Sequence, residues 1–268
     1  MERKITVDKN KCIHCGLCIK DCPTSSIEFG NDKIPEFSEG RKERCVACQH
    51  CMAVCPEGAL SFGGKNPDDS TEVSYGNSDE LLNLIKSRRS IRYYKNESVP
   101  TDKLDKIKEM LAFPPTGANA DSLHFSIVGT KEKMDEIKKV TYEKILESSS
   151  DSPMIQFLKY SLQNGQDISY RDAPSMVVVS VDKSKAVPGC ETTDPIIALS
   201  YLELYAQSLG MGTMWSHGAV TIVEQNPELY SLLEIPENYS LSYIILLGIP
   251  AVKYKRTVQK EASSIIII

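Results

Sequence analysis

Residues 12–23 read CIHCGLCIKDCP and residues 45–56 read CVACQHCMAVCP. Each is CxxCxxCxxxCP, so Cys12, Cys15, Cys18 and Cys22 are followed in the same register by Cys45, Cys48, Cys51 and Cys55. The flanks repeat too. CPTSSIEF after the first run matches CPEGALSF after the second in its turn residues and closing aromatic, so the two halves are expected to share one shape.

Eight of the nine cysteines lie in this repeat, and the odd total disfavours complete disulfide pairing. Three thiolates at two-residue intervals suit a cuboidal iron–sulfur cluster, because a tight loop can wrap the cube and aim successive sulfurs at three irons. A tetrahedral zinc site uses a pair of CxxC units and leaves no role for the third cysteine or the proline. The expectation is two [4Fe-4S] clusters.

These residues resemble the bacterial two-cluster ferredoxin module over Ile5 to Gly63. The resemblance implies a small pseudosymmetric domain with crossed ligation: Cys12, Cys15, Cys18 and Cys55 on one cluster, Cys45, Cys48, Cys51 and Cys22 on the other. His14 and His50 fall inside the cluster loops, as exposed loop residues or as modulators of a potential.

The formal charge is −5, which offers no field for nucleic acid or an anionic membrane. Met1 to Lys11 is polar, unlike a signal peptide, and no apolar run spans a bilayer, so the chain is read as cytoplasmic. A cysteine-rich segment of roughly 65 residues is too short to fold easily without a metal, a disulfide or a partner, whereas roughly 190 residues can bury a core of their own. The expected organisation is a cluster domain over 1–64, a linker over 65–77 rich in Gly, Asn, Asp and Ser, and a second domain over 78–268.

The second domain reads as α+β. Ser78, Asp79 and Glu80 mark a helix start with Leu81, Leu82, Leu84 and Ile85 as its apolar face, and Thr101 starts another helix. LHFSIVG, SMVVVSV and SLSYIILLG read as strands, and Pro195 to Leu209 has helical spacing. Arg88, Arg89, Ser90 and Arg92 gather three guanidinium groups and a hydroxyl, either a phosphate clamp or a basic helix end answering its own dipole. Pro115, Thr116, Gly117 and Asn119 form a turn, LGMGTMWSHG runs to Gly218, and LLGIPAVKYKR ends at Arg256.

In this order the four motifs resemble the nitroreductase family of FMN-dependent oxidoreductases, from Ser78 to Arg256. The resemblance implies that Arg88, Arg89, Ser90 and Arg92, completed by Lys255 and Arg256, grip the FMN phosphate and ribityl chain. Pro115, Thr116, Gly117 and Asn119 would pack on the flavin ring, with Gly117 standing where serine is commoner. Family members often continue with Gln-Pro-Trp, where this chain has ADSL from Ala120 to Leu123. Backbone near His217 and Gly218 would reach the reactive flavin nitrogen, and His217 is a candidate proton donor. Trp215 reads as packing or pocket wall, and Cys190 as an unligated loop thiol.

A homodimer with FMN at the interface is implied by the same resemblance. The Ile265–Ile268 tail would be buried there, or else is a disordered end. The leading expectation for function is that a low-potential donor such as ferredoxin reduces the clusters, which reduce FMN, which reduces a nitroaromatic, quinone or activated alkene. Two alternatives stay open: an NAD(P)H-dependent nitroreductase with the clusters as exit wire or structural element, and a non-catalytic electron carrier or redox sensor. Oxygen-sensitive clusters point to an anaerobic host.

Overall fold

The computed structural model describes residues 2–261 and 264–268. The chain divides into two compact units, Met1–Tyr75 and Gly76–Ile268.

The first unit contains β1 (Ile5–Val7), α1 (Leu17–Lys20), β2 (Ile27–Phe29), β3 (Pro35–Phe37), α2 (His50–Ala53) and β4 (Leu60–Phe62). β1 pairs antiparallel with β4, placing Ile5 opposite Phe62, and β2 pairs with β3, placing Ile27 opposite Phe37. The sequence repeat is a repeat of backbone shape. α1 and α2 occupy equivalent positions, as do β2 and β4. Left-handed backbone recurs in register: His14 (φ 55°) with Ala47 (54°), Gly16 (74°) with Gln49 (62°), and Ser25 (50°) with Gly58 (55°). For a residue with a Cβ this conformation costs about 1–2 kcal/mol, so His14, Ala47, Gln49 and Ser25 mark geometry imposed by the loop as a whole. The core consists of Ile27, Met52, Leu60 and Phe62 with Cys18, Cys45 and Cys51. So small an apolar core fits a unit that relies on metal for stability.

The second unit contains α3 (Ser78–Ser87), α4 (Thr101–Met110), β5 (Leu123–Val128), α5 (Lys131–Glu147), α6 (Pro153–Gln163), β6 (Ser175–Val181), α7 (Cys190–Ser208), β7 (Gly212–Trp215), α8 (His217–Gln225), α9 (Leu229–Leu232) and β8 (Ser240–Gly248). Its four strands form one antiparallel sheet in the order β5-β6-β8-β7. All seven residues of β6 are buried. Alternation sends Met176 and Val178 to one face, with Ile244 and Leu246 of β8, and Val177 and Val179 to the other, with Ile245 and Leu247. The first face packs on α5, α6 and α8, the second on α4 and α7, so the sheet lies between two helical layers. The α+β expectation holds.

α3 starts at Ser78 as its sequence suggests, capped by Asn77, whose side chain accepts from Asp79 N and Glu80 N. One helix start differs from its sequence reading. α7 begins at Cys190, upstream of Pro195, so the proline lies inside the helix and position 195 has no N–H to donate to the carbonyl one turn back. The apolar face of α3 exists but is uncovered within the chain: Leu81, Leu82 and Ile85 are 53, 48 and 47 % exposed. Among the described residues no helix is long and apolar enough to cross a membrane.

Candidate functional site

The eight repeated cysteines divide between two cavities in the first unit. Cys12, Cys15, Cys18 and Cys55 line one, together with Pro56; Cys22, Cys45, Cys48 and Cys51 line the other, together with Pro23. The fourth thiol of each set comes from the opposite motif. Pseudosymmetry extends to the sulfurs' hydrogen bonds, since Ser26 N donates to Cys22 Sγ and Ala59 N to Cys55 Sγ, both at 3.3 Å. Among the described residues no three ligating side chains converge as on a single metal ion; the sulfurs surround a space.

The thiols are crowded. Burial, and next among the raising causes the nearby Cys48, Cys45 and Cys18, pushes Cys51 up to about 12. Cys18 is raised by burial and then by Cys55, a neighbour from the other motif. At Cys22 burial also works upward, but the Ser26 N–H and the Thr24 hydroxyl prevail and the thiol is lowered. Four such groups around one cavity are held as thiolates only against concentrated positive charge, so the donor set fits a four-iron cube. His14 and His50 are exposed: His14 Nδ1 lies 3.0 Å from Lys33 O and His50 Nδ1 3.3 Å from Asp21 Oδ2.

In the second unit the arginine segment runs beside the sheet edge. Ser90 bridges to Thr213 in parallel, Ile91 N donates to Thr213 O at 2.8 Å, and Lys95 N donates to Ile249 O at 2.8 Å. This wedges the segment between β7 and the chain leaving β8. Such close approach requires Gly212, where a Cβ would lie 2.5 Å from Ile91 Cγ1.

The result is a cleft of about 480 Å³ with Ser87, Arg89, Thr213, Lys253, Lys255 and Arg256 on its walls. Arg89 Nη1 donates to Lys86 O at 3.0 Å and to Arg88 O, while its Nη2 is buried without a partner. No ion pair neutralises Arg89, Lys253, Lys255 or Arg256 among the described residues. A cleft lined by an arginine with an unpartnered guanidinium nitrogen and by three further cations without an ion pair fits a phosphate.

Arg88, Ser90 and Arg92 do not line this cleft. Arg88 Nη1 instead lies 3.1 Å from Glu203 Oε1, a buried carboxylate that also accepts from Thr213 Oγ1 at 3.3 Å. Ser90 is half-buried, and exposed Arg92 Nη1 lies 3.4 Å from Ser90 O.

The turn carrying Pro115, Thr116, Gly117 and Asn119 is tied to the start of α7. Gly117 N donates to buried Asp194 Oδ2 at 3.0 Å, and Asp121 N to Thr116 Oγ1 at 3.3 Å. A Cβ on Gly117 would lie 2.6 Å from Cys190 Sγ, which explains glycine where the family commonly has serine. Cys190 is therefore no loop thiol: it is the half-buried first residue of α7, packed on this turn. His217 is the exposed first residue of α8, and Ser216 Oγ caps that helix by accepting from Ala219 N. Gly218 abuts Leu158 and Ser169, and Trp215 packs edge-on to Tyr243 at 5.1 Å, as packing rather than chemistry.

Sequence reasoning missed Glu203, Asp194 and Thr213. The available signal was two acids inside the otherwise apolar helical stretch around Pro195–Leu209, which need partners once buried.

Residues 85–249 match the nitroreductase family model, and residues 5–62 match a model described as a 4Fe-4S dicluster domain. A Methanothermobacter thermautotrophicus protein, provisionally named NADH dehydrogenase/NAD(P)H nitroreductase, is 30 % identical over 64 % of this chain and 78 % of its own. The Bacillus subtilis FMN reductase [NAD(P)H] is 28 % identical over 64 % of this chain and 66 % of its own. Among solved structures, the Bacteroides fragilis nitroreductase with bound FMN superposes with a TM-score of 0.59 at 26 % identity, covering 72 % of this chain and all of that one. With an antiparallel sheet between two helical layers in one unit and paired cysteine cavities in the other, the chain belongs to the nitroreductase family and carries an N-terminal 4Fe-4S dicluster domain.

Proposed function

We propose that this FMN-dependent oxidoreductase takes electrons in at two [4Fe-4S] clusters and passes them to FMN, which reduces an organic acceptor such as a nitroaromatic, a quinone or an activated alkene. The observation that carries the reading is the crossed division of eight thiols between two cavities, on the chain that also bears the nitroreductase domain. When bound, clusters exchange single electrons and flavin pairs them for two-electron chemistry.

The chain's residues bind and orient. Arg89, Lys255 and Arg256 would hold the flavin phosphate, with Arg88, Ser90 and Arg92 as neighbouring members of the same segment. The Pro115–Asn119 turn, fixed through Gly117 to Asp194, packs on the ring. With FMN bound, backbone N–H groups at His217 and Gly218 would be the donors for its reactive nitrogen, and His217 would be the proton source. The exposed apolar face of α3, with Leu81, Leu82 and Ile85, supports pairing with a second copy of the chain.

The names of the relatives favour a second reading, in which NAD(P)H is the donor and the clusters are an exit wire or a structural element. Anaerobic stopped-flow separates the two. A low-potential one-electron carrier should bleach clusters and flavin within the time of a turnover. Fast bleaching of the flavin by NAD(P)H, with none by the carrier, would establish the second reading instead.

A further inference from the structure

Each cysteine motif is preceded by two cations in the same register: Lys9 and Lys11 before Cys12, Lys42 and Arg44 before Cys45. The structure treats the pairs differently. Lys9 Nζ lies 3.1 Å from Asp32 Oδ2 and Lys11 Nζ 3.4 Å from Asp68 Oδ2, so the first pair is neutralised. Neither Lys42 nor Arg44 has an acidic partner among the described residues, and the intervening Glu43 is taken by Arg3 at 3.1 Å. Arg41 adds a third cation, its Nη1 3.4 Å from Ser25 O.

These residues form one exposed turn that ends on a cluster ligand. Arg44 N donates to Arg41 O at 3.0 Å and Cys45 N to Lys42 O at 3.1 Å. Exposed Glu39 stands just ahead and leaves the turn net positive. On a chain of net charge −5, uncompensated cations beside one cavity and compensated ones beside its twin are an asymmetry that folding does not need. Local positive potential of this kind orients an encounter with an acidic protein and raises its rate.

We propose that Arg41, Lys42 and Arg44 form the docking surface for a small acidic one-electron carrier protein, which reduces the cluster held by Cys22, Cys45, Cys48 and Cys51. The inference rests on the clusters being the point of electron entry. One electron moves, so the carrier is oxidised and the cluster reduced by one equivalent, with no bond or proton transferred.

The test uses the full-length, reconstituted protein and a chemically reduced acidic [2Fe-2S] ferredoxin as probe, with cationic reduced methyl viologen as control. K42E/R44E is expected to lower the second-order rate of cluster reduction by ferredoxin about tenfold or more at low ionic strength, with the difference shrinking as salt is added. Reduction by methyl viologen should not slow, and K9E/K11E should slow ferredoxin much less. A loss below twofold, an equal loss in K9E/K11E, or no reaction of the unaltered protein with ferredoxin would overturn the docking proposal. Clusters that reduce normally while the flavin stays oxidised would instead overturn the cluster-to-flavin path and leave the docking surface standing.

Discussion

Arg88 and Glu203 are joined at 3.1 Å, and this pair fastens the segment that enters the phosphate cleft to the long helix α7. Glu203 is buried and Arg88 only half so, with Thr213 Oγ1 as the carboxylate's second donor. Glu203→Gln keeps the shape and removes the charge, and is expected to destabilise the second unit by about 1.5–3 kcal/mol, the range for a charged hydrogen bond. Denaturant unfolding of the flavin-free protein measures it, and a loss under a few tenths would show that the pair is ornamental.

The cleft cations are expected to act on phosphate charge. Arg89→Ala and Arg256→Ala should each weaken FMN binding about tenfold to a hundredfold, read by quenching of flavin fluorescence on titration, because each removes a charge-assisted contact. Riboflavin, which lacks the phosphate, should bind the variants and the unaltered chain alike.

Crossed ligation gives a test of bookkeeping. In a Cys48→Ala background one four-iron cluster should remain. Adding Cys55→Ser should lower the iron and sulfide content further, whereas adding Cys22→Ser should not, since Cys22 lines the cavity already disrupted. The reverse pattern would mean that each motif supplies its own fourth ligand.

Gly117 and Cys190 should be coupled. Gly117→Ala brings a Cβ to 2.6 Å from Cys190 Sγ and is expected to cost about 1–3 kcal/mol by overpacking. Cys190→Ala in the same chain should recover part of the loss, so that a double-mutant cycle shows a favourable interaction term. Simple additivity would contradict the contact.

What was legible in the sequence was what local chemistry specifies. The repeat anticipated that the two halves share one shape, which the structure realises as α1 with α2 and β2 with β4. β6 was readable as SMVVVSV because both of its faces are buried, and a short run rich in β-branched residues favours a strand. β7 passed unnoticed because GTMW is short and draws its strand character from pairing with β8 and Ser90. Likewise nothing near Arg88 announces Glu203, which lies more than a hundred positions away and meets it only once α7 packs on the sheet. Gly117 was visible as a departure from the family pattern, and its cause, a thiol from another element, was not.

The central claim is that the clusters carry the electrons that reach the flavin. The most direct measurement compares the FMN-loaded intact chain with an FMN-loaded Cys15→Ala/Cys48→Ala chain, each mixed anaerobically with a reduced one-electron carrier protein while flavin absorbance is followed. The account predicts that loss of the clusters slows flavin reduction by the carrier at least a hundredfold while a small chemical reductant still bleaches the flavin. Equal rates in the two chains would contradict it.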